Sequence, residues 1–231
     1  MHGVKTVSYR HTAYPSAWLA GACGLLYSVS FVLISKASPH LGAGLSGFFL
    51  LTGGIFGASA LLGLYMRLAS AGGGYALWAL VFGLAGALAA TLHGGYDLAN
   101  AIHPPDQSTT TPSAVDPRGL GTFGIAGLAV LAFACLMSRD SAFPSNLAYL
   151  GYLSGGLLVA IYLARLIILS PANPIVLAPA ALEGFIVNPA WYIWLVSSCA
   201  ARASLSAGPR PRTCCGSASR ASLDRHHPGW G

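Results

Sequence analysis

Two charged side chains lie inside long apolar runs, where a charge is expensive. Arg165 and Glu183 occur in consecutive runs that are separated only by the short break SPANP, so helices built from these runs would be antiparallel neighbours. At 1.5 Å per helical residue, Arg165 lies about 7 Å from the end of its run and Glu183 about 12 Å from the start of the next. Because an unpaired charge in an apolar medium costs several kcal/mol, we expect these two side chains to pair.

A second set of polar residues lies at the end of the third apolar run, in the stretch LHGGYDLANAIHPPD. Its polar residues are three, four and seven positions apart, which places them on one face of a helix. Together with the charged pair they predict a polar pocket that binds a small solute or relays a proton. The residues of this predicted pocket are Arg165, Glu183, His93, Asp97, Tyr162, Tyr96 and Asn100.

The sequence gives little support for an enzyme. It contains no GxSxG or HExxH motif, no paired intramembrane aspartates and no lysine within a span. His93 and Asp97 lack a second histidine at helical spacing, and the Cys and His residues near the C-terminus match no zinc spacing. We therefore predict no catalytic residues, no metal and no cofactor.

The composition indicates where these residues are located. Hydrophobic residues make up 55% of the 231 residues and charged residues only 8%, with a mean hydropathy of +0.63. A soluble domain carries roughly a quarter of charged residues, so the chain is predicted to be an integral membrane protein. Six apolar runs approach the roughly 20 residues that a spanning helix needs, and they predict an all-α, six-helix membrane bundle. The predicted spans are Trp18 to Ile34, Gly44 to Tyr65, Tyr75 to Leu92, Gly121 to Met137, Leu147 to Leu169 and Ile175 to Ser198.

The basic residues predict the orientation of this bundle. With six spans both termini lie on the same side, and nine of the 12 Lys and Arg fall on that side. The positive-inside rule then places both termini in the cytoplasm. The net charge of +6 is accounted for by this bias and by attraction to anionic lipid, so no nucleic-acid partner is predicted.

The chain divides into three parts by composition. Residues 1–17 form a cytoplasmic segment, residues 18–199 the membrane domain, and residues 200–231 a basic tail rich in Ser, Gly and Pro that is predicted to be disordered. One longer loop, HPPDQSTTTPSAVDPRG, joins the third and fourth spans and could cover the pocket.

Small residues four apart predict close helix contacts. They occur as Gly53 and Gly57, Gly83 and Ala87, and Gly151 and Gly155. Such faces could also recruit a second copy of the chain. This leaves an alternative function open: a structural or accessory membrane protein, in which the Arg165 and Glu183 pair only holds helices together.

Three stretches carry a resemblance to known proteins: LHGGYDLANAIHPP, VDPRGLGTFGIAGLAVL and EGFIVNPAWYIWL. With the spacing of their spans, they resemble bacterial multi-span membrane proteins grouped as a domain of unknown function. The resemblance covers roughly Ala17 to Leu195. It implies six helices and a bacterial inner-membrane location, and it implies no reaction, ligand or cofactor.

Overall fold

The computed structural model describes residues 10–104, 118–168, 170 and 173–206. All the regular elements among these residues are helical, and six helices are long and apolar enough to cross a membrane. The predicted all-α fold with six spans is therefore confirmed, while the side on which the termini lie stays a prediction. We number the spans α1 to α6: Ala13–Ala37, Pro39–Ser70, Gly72–Ile102, Leu120–Arg139, Ser145–Ile167 and Pro174–Ser198.

The helices extend beyond several predicted ends. The first helix begins at Arg10 instead of Trp18, and the last runs to Ser206, past the predicted start of the tail at residue 200. The reason is that apolarity marks where a helix enters lipid, whereas the helix itself continues until its backbone bonds end. Residues 207–231 of the predicted tail and residues 105–117 of the predicted lid loop lie outside the described residues.

A single glycine separates α2 from α3. The backbone is helical from Pro39 to Ile102 except at Gly73, where φ is 49° and ψ is −124°. These are the angles of the first central residue of a type II′ turn, which glycine adopts without steric cost. The two spans are thus folded against each other as a tight hairpin.

Close backbone contacts hold this hairpin together. A Cβ atom on Gly54 would lie 2.6 Å from the Ala87 carbonyl oxygen, and one on Gly47 would lie 2.6 Å from the Leu98 nitrogen. The predicted close packing at Gly155 is also present, because a Cβ there would lie 2.8 Å from the Gly127 carbonyl oxygen. Glycine is required at these positions because any side chain would force the helices apart.

The bundle is closely packed towards one end. The largest buried apolar cluster includes Leu68 on α2, Phe133 and Met137 on α4, Leu147 on α5 and Trp191 on α6. These side chains lie towards the end where α2 ends and α3 begins. The opposite end, where α3 ends and α4 begins, is called the Asp97 end, and the cavity described below extends from it to Trp191.

Three segments of the bundle are π-helical: Ser30–Ile34 in α1, Leu120–Ile125 in α4 and Glu183–Val187 in α6. The α6 segment lies between Pro179 and Pro189, which have no backbone N–H to donate. The Asn188 N–H donates to the Glu183 carbonyl five residues back. Each segment contributes residues to the wall of the cavity, and π turns are frequent at functional sites.

Candidate functional site

A cavity of about 760 Å³ lies between the helices and extends from the Asp97 end to Trp191. Along α6 its wall runs from Val176 to Tyr192, which is about 24 Å at 1.5 Å per residue. The wall is mainly apolar and aromatic, with a small number of polar groups. Both the volume and this mixture are typical of sites that bind small molecules.

Glu183 is buried in the middle of this wall. Only 3% of the residue is exposed, and its Oε1 accepts a hydrogen bond of 2.6 Å from the Ser154 hydroxyl on α5. Its Oε2 is buried and has no hydrogen-bond partner among the residues that the structure describes. Half of the hydrogen-bonding capacity of this carboxyl group is therefore unused by the protein.

Asn188 lies one π turn after Glu183 on α6, and both residues line the cavity. Because the π turn adds one residue to the helix, positions five apart lie on about the same side of it. The Asn188 Oδ1 is also buried without a partner. Gly24 of α1 faces this amide, and a Cβ there would lie 3.4 Å from the Asn188 Nδ2.

Three aromatic side chains also contribute to the cavity wall. Trp191 and Tyr192 follow Asn188 by three and four positions, and both line the cavity, as does Tyr27 of α1. The Trp191 and Tyr192 rings meet edge to face at 5.0 Å. The Trp191 Nε1 is buried without a partner, but it is directed towards Gly151, which does not line the cavity.

The second polar group lies at the Asp97 end and is extensively paired. Asp97 Oδ1 accepts from Arg118 at 3.0 Å, and Asp97 Oδ2 lies 3.4 Å from His93 Nε2. The Arg118 guanidinium also lies 4.2 Å from the centre of the Tyr96 ring. These contacts join the end of α3 to the residues that lead into α4.

Thr122 extends this network along α4. Its hydroxyl donates to the Arg118 carbonyl oxygen at 2.9 Å, and its oxygen lies 3.1 Å from His93 Nδ1. A hydroxyl has a single proton, so Nδ1 donates to Thr122 when that proton is used on Arg118. A doubly protonated imidazole would then donate to Thr122 and Asp97 at once.

The structure places six of the seven predicted pocket residues around one cavity. Tyr96 is the exception: it is 51% exposed and contacts Arg118 outside the cavity wall. The residues that line the cavity are Arg165, Glu183, His93, Asp97, Tyr162 and Asn100. Their function as a site stays a prediction.

The expected direct pair between Arg165 and Glu183 does not form. Arg165 donates to the Ile168 carbonyl at 3.0 Å, near the end of α5, whereas Glu183 binds Ser154. Ser154 and Arg165 are 11 positions apart on α5, which separates them by about 16 Å along the helix. The prediction was wrong because it measured both levels from the ends of the apolar runs, which put Arg165 and Glu183 only about 5 Å apart in depth.

Some residues of the cavity were missed by sequence reasoning. Ser154 and Thr122 are short hydroxyl residues in glycine-rich spans, and nothing in their spacing marks them. In the sequence, Arg118 is only one charge in the loop between the third and fourth spans. In the structure it pairs with Asp97, although the two residues are far apart along the chain. Within the described ranges no group of three or more His, Cys, Asp or Glu could hold a metal ion.

Comparison with known proteins assigns no family or function to this chain. No protein-family model, curated protein or solved structure matches the chain. The resemblance to bacterial membrane proteins of unknown function therefore stays a prediction. What is established is a multi-span helical bundle with the lengths and apolarity of a membrane protein.

Proposed function

We propose that this integral membrane protein binds a small solute in the cavity, as a receptor or transporter, with the Asp97 end open to the outside of a bacterial inner membrane. The orientation rests on the distribution of Lys and Arg, and the location rests on the resemblance described above. The observation that carries the proposal is the buried Glu183 carboxyl at the cavity wall, with one oxygen that has no partner.

The energetics of burial support a binding site. A polar atom buried without a hydrogen bond costs about 1–3 kcal/mol, and an ionised group costs more. A bundle that only needed stability could place an apolar side chain at this position. A ligand or a proton that reaches Glu183 Oε2 would remove this penalty, so binding would be coupled directly to the unsatisfied group.

The alternative, a structural role, has one observation in its favour. The Ser154 and Glu183 hydrogen bond of 2.6 Å joins α5 to α6 in the interior of the bundle. In this case Glu183 would stabilise the bundle in the absence of any ligand. If Glu183 is structural, a variant that removes its charge should have a lower Tm. If Glu183 binds a ligand, the same variant should no longer respond to that ligand.

The test is thermal stability of the detergent-purified protein, wild type beside Glu183→Gln, across a library of small metabolites and metal salts. Gln has nearly the same size and can still accept from Ser154. We expect at least one compound to raise the Tm of the wild type and to leave that of Glu183→Gln unchanged. If no compound shifts the wild type and Glu183→Gln alone lowers its Tm, the role of Glu183 is structural and the proposal is wrong.

A further inference from the structure

We infer that the ligand of this cavity is an amphipathic organic cation, a primary or secondary ammonium whose N–H groups bind Glu183 and Asn188 and whose apolar body lies towards the Asp97 end. This inference rests on the proposed function and names the class of its solute. It is carried by the polar groups at the inner part of the cavity and by the apolar surface above them.

The first argument is the match of hydrogen-bonding groups. Glu183 Oε2 and Asn188 Oδ1 are two buried acceptors without partners in the described part of the chain, and both residues line the cavity, one π turn apart on α6. An ammonium group with at least two N–H bonds can donate to both, and it also supplies the positive charge that a buried carboxylate needs. A quaternary ammonium has no N–H and cannot satisfy either oxygen.

The second argument concerns which other ligands suit these groups. An anion bound at this level would be repelled by the Glu183 carboxylate. The positive charge of Arg165 is too far away to compensate, because Arg165 lies about 16 Å further along α5 than Ser154, which bonds to Glu183. A metal ion would need more ligands than this level provides, since the described part of the chain has no cluster of three metal-binding side chains. A neutral solute would leave the buried carboxylate without a counter-charge.

The third argument is the surface around the polar groups. Trp191 and Tyr192, which follow Asn188 by about one turn of α6, line the cavity, and aromatic rings attract ammonium groups. Towards the Asp97 end the wall includes Phe49, Phe123 and other apolar side chains. A ligand with a cationic head and an apolar body would therefore meet complementary surfaces along its whole length.

The test compares four probes of one shape on the detergent-purified full chain at neutral pH: 2-phenylethylamine, trimethyl(2-phenylethyl)ammonium, 2-phenylethanol and 3-phenylpropanoate. Binding is measured by calorimetry and by the shift in Tm. We expect 2-phenylethylamine to bind at least about tenfold more tightly than the other three, because a hydrogen bond to a charged group is worth about that factor or more. Equal affinity for the quaternary or the neutral probe would overturn the inference.

Matched variants locate the binding. Glu183→Gln should weaken 2-phenylethylamine about tenfold or more, whereas Asp140→Asn should leave it unchanged, because Asp140 lies outside the cavity and its Oδ1 caps Ala142. A second pair controls for folding: Ala180→Phe fills the cavity one turn from Glu183, and Ala178→Phe places the same ring on the exposed face. Loss of binding in Ala180→Phe alone supports the inference, and equal binding in both overturns it.

The outcomes separate this inference from the proposed function. If 3-phenylpropanoate or another library compound binds and Ala180→Phe abolishes that binding, while no amine binds, then the cavity is a solute site and the ammonium inference is wrong. If no library compound or probe binds to the wild type, both the inference and the proposed function fail.

Discussion

Two acidic side chains line the same cavity and differ in almost every physical respect. Asp97 has 37% of its side chain exposed and contacts a guanidinium and an imidazole, whereas Glu183 is 3% exposed and contacts one hydroxyl. Both oxygens of Asp97 therefore have partners within the protein, whereas Glu183 Oε2 has none among the described residues. The exposed acid thus joins the end of α3 to the start of α4, and the buried acid keeps one unused acceptor.

The largest expected effect comes from the close contact between α2 and α3, the helix that carries Asp97. We expect Gly54→Ala to lower the free energy of unfolding by about 2–3 kcal/mol, because its Cβ would lie 2.6 Å from the Ala87 carbonyl and the α2–α3 hairpin would have to open. The measurement is the Tm in detergent with a denaturant titration.

Gly156→Ala is the matched control for this change. No atom lies within 4 Å of a Cβ at Gly156, so the extra methyl has space, and replacing a mid-helix glycine stabilises by up to about 1 kcal/mol. An equal loss of stability in both variants would contradict the role of the Gly54 contact.

The comparison predicts a change of opposite sign at Glu183. We expect Glu183→Met to raise the free energy of unfolding of the ligand-free protein by about 1–2 kcal/mol, because an apolar side chain of similar size removes a buried group that is only half satisfied. The same variant should lose binding of any cavity ligand. A lower Tm in Glu183→Met would instead show that the hydrogen bond to Ser154 outweighs the cost of burial.

The smallest effect is expected at Asp97. Asp97→Asn should lower the free energy of unfolding by about 0.5–1 kcal/mol, since the ion pair with Arg118 is partly exposed and screened by water. Screening by salt should reduce this difference further at about 1 M ionic strength. A loss that does not depend on salt would show that Asp97 acts through hydrogen bonds more than through charge.

The six spans could be predicted from the sequence because the signal is averaged over many residues. An apolar run of about 20 residues has few alternatives to a spanning helix, as α5 illustrates. The tight hairpin between α2 and α3 was harder to predict from the sequence. The glycines at 72–74 indicate a break between two helices, but they do not specify that a single residue makes the turn.

The site was only partly predictable, because the sequence does not specify how far along neighbouring helices two residues lie or how a π turn changes the face on which a residue lies. Arg165 and Glu183 line one cavity, as their antiparallel runs predict, but their levels differ by about 16 Å and the predicted direct pair is absent. The position of Asn188 on about the same side of α6 as Glu183 depends on a π turn, and in an ideal α-helix positions five apart diverge. The bond between Asp97 and Arg118 depends on how the chain returns from α3 to α4, which no periodicity specifies.

The π turn in α6 also determines how this helix could rearrange. It contains one residue more than an α-helical turn, and this extra residue can in principle be passed along the helix by exchanging hydrogen bonds one at a time. Residues that it passes would rotate by about 100° around the helix axis while both ends of α6 stay in place. Such a shift of the π turn would turn Glu183 and Asn188 to different directions around the axis of α6.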